Sequence, residues 1–169
     1  MTAEQTLEQL LSYAKKYGAG EAEASLNMEE GFSVEVRNHD VDTLEHHRGQ
    51  GVQLTVFCDQ KTASVGGSDL SCDALDRLAK KACTIASYAE ADVFSGLADK
   101  SRMAVNSTQL ALSYPWALTP NDAIAMGLSC EKKILERDAR IEQCEEVCVS
   151  SLKSSNHYAN SLDVSLSQS

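Results

Sequence analysis

The densest run of side chains able to hold a metal ion or move a proton is Glu45-His46-His47. A helical zinc peptidase site needs two histidines about one turn apart, so that both rings reach the ion, with a glutamate between them to activate water. Here the histidines are adjacent in a run that reads as a strand, so their rings project to opposite faces and do not share one ion. They are read as sheet-face or surface residues. Six cysteines stand at 58, 72, 83, 130, 144 and 148. Cys144 and Cys148 are four apart, which would join them on a helix. On a strand they share a face but stand about 13 Å apart, too far for a disulfide or a common zinc ion. Cys58 and Cys83 fall in apolar patterns and are read as core residues. Cys72 follows a predicted helix cap, where a thiol pKa falls, yet no neighbouring residue completes a triad, and packing at the helix start accounts for it.

The remaining candidates are weaker still. His157 lies beside Asn156 in a Ser-rich stretch, and nothing in that stretch makes a nucleophile, a base and an orienting acid converge. Gly49-Gln50-Gly51 and Gly66-Gly67 do not lead from a strand straight into a helix, as a phosphate cradle requires, and read as sheet turns. Glu29-Glu30 and Glu145-Glu146 lack the alternating oxygen donors of a calcium loop and read as solvated edges. No residue is assigned a catalytic, cofactor-binding or metal-binding role.

The elements that would position these groups follow from periodicity. Leu7, Leu10, Leu11 and Ala14 recur at helical spacing within Ala3 to Tyr17, with Thr2 as N-cap and Gly18 as stop. From Glu21 to Met28 the period switches to two, with Ala22, Ala24, Leu26 and Met28 apolar, a half-buried strand turning at Gly31. Phe32, Val34 and Val36 alternate with Ser33, Glu35 and Arg37 up to a turn at Asn38, His39 and Asp40. Strand runs then cover Val41 to His47, Val52 to Cys58 and Lys61 to Val65. A second helix follows Ser71, with Leu75, Leu78, Ala79, Ala82, Ile85 and Ala89 as its stripe. Glu90 to Ser113 reads as a long connection, with Tyr114-Pro115-Trp116 expected to pin it onto the core. Thr119-Pro120-Asn121-Asp122 starts a third helix that runs to about Asp138. Arg140 to Ser151 and a strand through Tyr158 form a closing pair about a turn near Lys153 to Asn156. The predicted fold is α+β: a mostly antiparallel sheet, a meander of about five strands plus that closing pair, with about three helices packed on one face.

A family resemblance rests on the order of these segments. GFSVEVR at 31–37, a turn, VDTLE at 41–45, a basic residue, GQGVQLTVF at 49–57, KTASV at 61–65 and the helix-opening DLS at 69–71 resemble the amino-terminal domain of the TldD/PmbA family. The similarity is greater on its PmbA, or TldE, side. GLADK at 96–100 and PWALTP at 115–120 resemble further segments of the same family. The resemblance implies one amino-terminal domain over residues 1–160. It also implies a noncatalytic role, since the family's zinc-binding HExxxH helix lies in the TldD subunit, beyond this domain. Zinc is then expected only in a TldD-like partner, and the expected substrate is a small unfolded peptide. Asn160-Ser161 matches the family where its larger carboxy-terminal half begins. Leu162-Asp163 departs from that pattern, so 161–169 is expected to be a frayed, Ser-rich tail without the carboxy-terminal domain. The alternative is a stand-alone binding or regulatory module derived from this domain.

Composition sets outer bounds. A chain of 169 residues suits one domain with one substantial core. With 15 basic against 25 acidic residues the net charge is −10, so phosphate backbones are repelled and nucleic acid is a poor partner. The start lacks a basic, then apolar, secretion signal and no stretch spans a bilayer, which points to the cytoplasm and away from membranes. Scattered cysteines in that reducing compartment are expected to be free, and the sequon at Asn106-Ser107-Thr108 is expected to go unused.

Overall fold

A computed structural model describes residues 1–104 and 111–168; the sequon lies outside them. The elements in chain order are α1 (Ala3–Lys16), β1 (Glu21–Arg37), β2 (Asp40–Cys58), β3 (Lys61–Gly67), α2 (Cys72–Tyr88), a 3-10 turn (Lys100–Arg102), α3 (Pro120–Leu135), β4 (Val147–Asn160) and β5 (Ser165–Gln168). The strands form one antiparallel sheet in the order β3-β2-β1-β4-β5. With three helices packed against it, this is the expected α+β fold.

The helix starts are set by capping side chains. Thr2 accepts from the Gln5 N–H while the Gln5 amide returns the bond to Thr2 N, and Thr119 exchanges the same pair of bonds with Asp122. Each arrangement satisfies backbone donors that a helix cannot pair internally. Both hairpins turn on two residues of positive φ, Asn38 and His39 (54°, 65°) and Asp59 and Gln60 (49°, 64°). That geometry matches the right-handed strand twist.

Several strand boundaries differ from expectation. Gly31 and Gly49 to Gly51, read as turns, lie inside β1 and β2. The backbone passes through them extended, so four expected strands become two long ones. Arg140 to Glu146 is not strand, and the expected turn at Lys153 to Asn156 lies within β4. The Ser-rich tail does not fray from Ser161 onward. Ser165 to Gln168 pairs with Asn156 to Ala159 as β5, because backbone bonds need no bulky side chains. Tyr114 and Trp116 are exposed rather than pinned on the core, at 83% and 59%.

Instead of one core, the described residues form two compact units. The first draws on residues 1–28, 49–104 and 155–168, the second on residues 29–48 and 111–154. In the first, Leu7, Leu10 and Ala14 of α1 meet Ala22, Ala24 and Leu26 of β1, Val52, Leu54 and Val56 of β2, and Leu75, Ala79, Ala82 and Ala86 of α2. The alanine stripe keeps α2 close to its neighbours. In the second, Phe32, Val34 and Val36 pack against Ala123 of α3, bordered by Val41, Leu118, Ile124, Leu128 and Val149. A Cβ on Gly127 would stand 2.7 Å from Val36 Cγ2, so only glycine lets α3 approach β1 this closely.

Candidate functional site

The most elaborated polar construction in the first unit lies where β1 begins and β4 ends. Period two places Glu21 and Glu23 on the face of β1 opposite Ala22 and Ala24. The Tyr158 hydroxyl donates to Glu23 Oε2 at 2.9 Å, and the buried Asn160 amide donates to Tyr158 Oη at 3.3 Å and to Met103 Sδ at 3.2 Å. Burial, and then Glu23, pushes the Tyr158 pKa up despite the opposing bond from Asn160, so this phenol stays a donor. Asn160 Oδ1 accepts the N–H groups of Leu162 and Val164, which closes the turn into β5. Ser161 completes the join, its N–H donating to Ala22 O at 2.8 Å and its Oγ accepting from Ala22 N at 3.0 Å.

The GLADK segment docks onto this construction. Gly96 adopts φ 157°, and a Cβ there would stand 3.2 Å from Glu21 Oε2. The same carboxylate oxygen accepts the Leu97 N–H at 2.8 Å. Asp99 caps the 3-10 turn through Ser101 N and Oγ, which holds its own pKa down. Lys100 Nζ lies 3.8 Å from Asp163. Beside these residues a cleft of about 700 Å³ opens between α1 and the β4–β5 turn, lined by Glu4, Glu8, Lys15, Glu21 and Asp163 among others. The arrangement fixes backbone and presents a shaped, acidic edge. It holds no nucleophile paired with a base.

The residues singled out by sequence disperse. His46 tilts over Phe32, ring centroids 5.9 Å apart, while His47 Nε2 lies 2.7 Å from where a Cβ on Gly31 would stand. Both histidines are exposed. Among the described residues no three His, Cys, Asp or Glu side chains are grouped to hold a metal ion. Cys144 precedes β4 instead of sharing a strand with Cys148, and its Sγ donates to Glu146 O at 3.6 Å. Cys72 is exposed at the start of α2. His157 sits in β4 opposite Ser167, its Nδ1 buried without a hydrogen-bond partner. Glu29, Glu30, Glu145 and Glu146 are exposed. Cys58 and Cys83 border the first core.

Sequence reasoning missed two groups. The Glu23, Tyr158 and Asn160 network joins residues 135 positions apart, and only the alternation in β1 hinted at it. Glu131, on α3, drew no reading from the sequence. It is 1% exposed, its Oε2 accepting the His39 N–H of the hairpin turn at 2.8 Å, with His39 Nδ1 3.7 Å away.

Residues 22–86 match the family model described as PmbA/TldA metallopeptidase domain 1. A metalloprotease PmbA homolog from Buchnera aphidicola is 31% identical over 159 residues, 94% of this chain and 35% of that protein. Metalloprotease PmbA of Escherichia coli is 30% identical over 142 residues, 82% of this chain and 32% of its own length. The chain thus spans about a third of the length of the curated relatives it matches. The crystal structure of TldE from Thermococcus kodakarensis shares the fold at a TM-score of 0.78 and 13% identity, over 96% of this chain and 36% of that one. No described helix is long and apolar enough to cross a membrane. The chain matches the first domain of the PmbA/TldD family over residues 22–86 and resembles PmbA/TldE members of that family in sequence and fold.

Proposed function

We propose that this domain serves a PmbA/TldE-like subunit that has no peptidase centre of its own and works in the cytoplasm beside a TldD-like zinc subunit. Its task is to shape the access of small unfolded peptides to the partner's zinc. The observation that carries this reading is the 31% identity over 94% of the chain to a metalloprotease PmbA homolog. The residues present support it from another side: with no grouping of metal-capable side chains among those described, they do not fit a zinc ion.

A sheet edge supplies the contact with peptide. β3 is in register with Val52 to Cys58, so among the described residues the first half of β2 has no strand on that side. Leu44 to Gln50 are exposed there. Backbone bonds along such an edge take an extended peptide whatever its side chains. A two-residue hairpin turn pairs every second residue of β2 with β1, starting at Asp40, and directs the N–H groups of Thr43 and Glu45 to the open side.

Co-expression with a TldD-like subunit tests the reading. The two chains are expected to co-purify, and Glu45→Pro to keep that association while capture of an unfolded peptide weakens. Equal capture by the variant overturns the edge contact. Stable isolation without the TldD-like chain overturns the partnership and leaves the stand-alone binding module.

A further inference from the structure

We propose that the loop after α2 is a docking peg whose Phe94 seats in an apolar pocket, rimmed by lysine or arginine, on the partner subunit; this rests on the partnership proposed above. The whole loop belongs to the first unit. Tyr88, Val93 and Phe94 are exposed there within seven positions, Phe94 at 92%, although α2 just before them buries Leu75, Ala79, Ala82 and Ala86. Single exposed apolar residues are ordinary, but several large ones at one fixed place mark a contact surface.

The loop is fixed although its side chains are uncovered. Asp92 N–H donates to Gln60 O of the β2–β3 turn at 2.8 Å, and Asp92 O accepts the Ser95 N–H at 2.9 Å. Asp92 Oδ1 accepts the Phe94 N–H at 2.9 Å. Ser95 Oγ shares a hydrogen bond with Thr62 Oγ1 of β3, and the Leu97 N–H is held by Glu21. Lys61 Nζ of β3 donates to Ser87 O at 2.9 Å, which brings a positive charge to the last turn of α2, where the helix has none of its own. Backbone tied in this way needs little further ordering on association, so the burial of Phe94 is retained as affinity. An aromatic side chain buries about 150–250 Å², and anchors of that kind carry most of the energy of an interface.

Charge selects the occupant. From Ala82 to Asp99 the chain carries Glu90, Asp92 and Asp99 and no lysine or arginine, and Asp59 stands exposed in the turn that holds the loop. Glu90 and Asp92 flank the peg as exposed residues, while Lys61, the cation bonded nearby, is committed to Ser87 O. A matching surface therefore sets cations around an apolar pocket. A second copy of this chain, itself at −10, repels instead.

Titrating the TldD-like subunit onto this chain in a calorimeter, at low and at high salt, tests the proposal. Phe94→Ala is expected to weaken binding about 20-fold or more and to leave the melting temperature of the free chain unchanged, since the ring it removes is exposed. Glu90→Lys is expected to weaken binding about 3-fold at low salt and by less at high salt. Photo-crosslinking from p-benzoylphenylalanine in place of Phe94 is expected to join the two chains. If the wild-type chain binds and Phe94→Ala binds equally well, the peg is overturned and the partnership stands. If the wild-type chain does not bind at all, the partnership fails and the peg with it. Crosslinks confined to this chain, or a wild-type self-association that Phe94→Ala abolishes, also overturn the proposal, because they assign the patch to an internal contact or to a second copy.

Discussion

In the first unit Leu7, Leu10, Leu26, Leu54 and Leu75 are buried together, whereas the second buries Phe32, Val34, Val36 and Ala123. The three buried positions of α3 are Ala123, Gly127 and Glu131, none of them a large apolar residue. The first unit therefore rests on apolar bulk. The second rests on close approach at Gly127 and on a buried carboxylate that satisfies a hairpin turn. Apolar burial adds about 1.5–3 kcal/mol per large side chain, while a hydrogen bond to a charged group nets about 1.5–3 kcal/mol and is lost whole if either partner moves. The second unit is expected to open at lower free energy, with amide exchange in α3 faster than in α1 and α2.

The sharpest way to break that contrast is to truncate each core in turn. Leu54→Ala removes a side chain with no exposure and is expected to cost about 3–4 kcal/mol in urea unfolding. Protection should fall throughout the first unit. Val36→Ala removes less and is expected to cost about 2 kcal/mol, with loss of protection concentrated in α3. If both variants lower protection equally in both units, the chain has one cooperative core and the contrast fails.

What could be read in advance follows the same division. Where apolar periodicity was strong, as in α1, α2 and the alternation from Ala22 to Val36, the elements agree with expectation, although in α2 Ile85 of the expected stripe is 43% exposed, Ala89 lies past the helix end and Ala86 is buried instead. The caps at Thr2, Ser71 and Thr119 were legible because each is a local bond to the backbone three residues on, returned by a side chain at Thr2 and Thr119. Strand continuity was not, since glycine marks both turns and close approaches, and Gly31 and Gly49 serve no turn. The tail was misjudged because Ser165 to Gln168 is held by backbone pairing rather than by burial. Trp116 was misjudged in the opposite sense, a large apolar side chain that the described residues leave exposed. The polar network of Glu23, Tyr158 and Asn160 and the burial of Glu131 rest on distant contacts that no local window contains. The TldD/PmbA resemblance rests on segment order, and it survives comparison although no single motif in it carries chemistry.

Gly127→Ala sharpens the contrast from the side of close approach. Alanine gains about 1 kcal/mol of helix propensity over glycine. The added Cβ meets Val36, a fully buried residue stiff about χ1, at 2.7 Å, and such overpacking costs about 1–3 kcal/mol. The net loss expected is about 1 kcal/mol, read as faster exchange in α3 with the first unit unchanged. A stabilised variant would show that the second core has slack and does not depend on a tight fit.

The smallest effect expected is electrostatic and belongs to the first unit alone. Asp76 of α2 accepts from Lys16 Nζ at 2.8 Å and from Tyr17 Oη at 2.7 Å, a partly exposed clasp between α1 and α2. Those two bonds, Lys16 first, hold the Asp76 pKa below its ordinary 3.8, and the Asp76 bond raises that of Lys16 above 10.5. A depressed carboxylate pKa contributes stability that is present above the unfolded value and disappears as pH falls through the folded one. A raised lysine pKa contributes stability that is present below the unfolded value and disappears as pH rises through the folded one. The difference in melting temperature between wild type and Asp76→Asn should therefore be level from about pH 5 to 9, shrink below about 4 and shrink again above about 10.5. Because exposed ion pairs contribute little, the plateau should be low, and exchange in α3 should not change. A plateau that also moved α3 would mean that the clasp between α1 and α2 supports both units, and the separation of their stabilities would have to be abandoned.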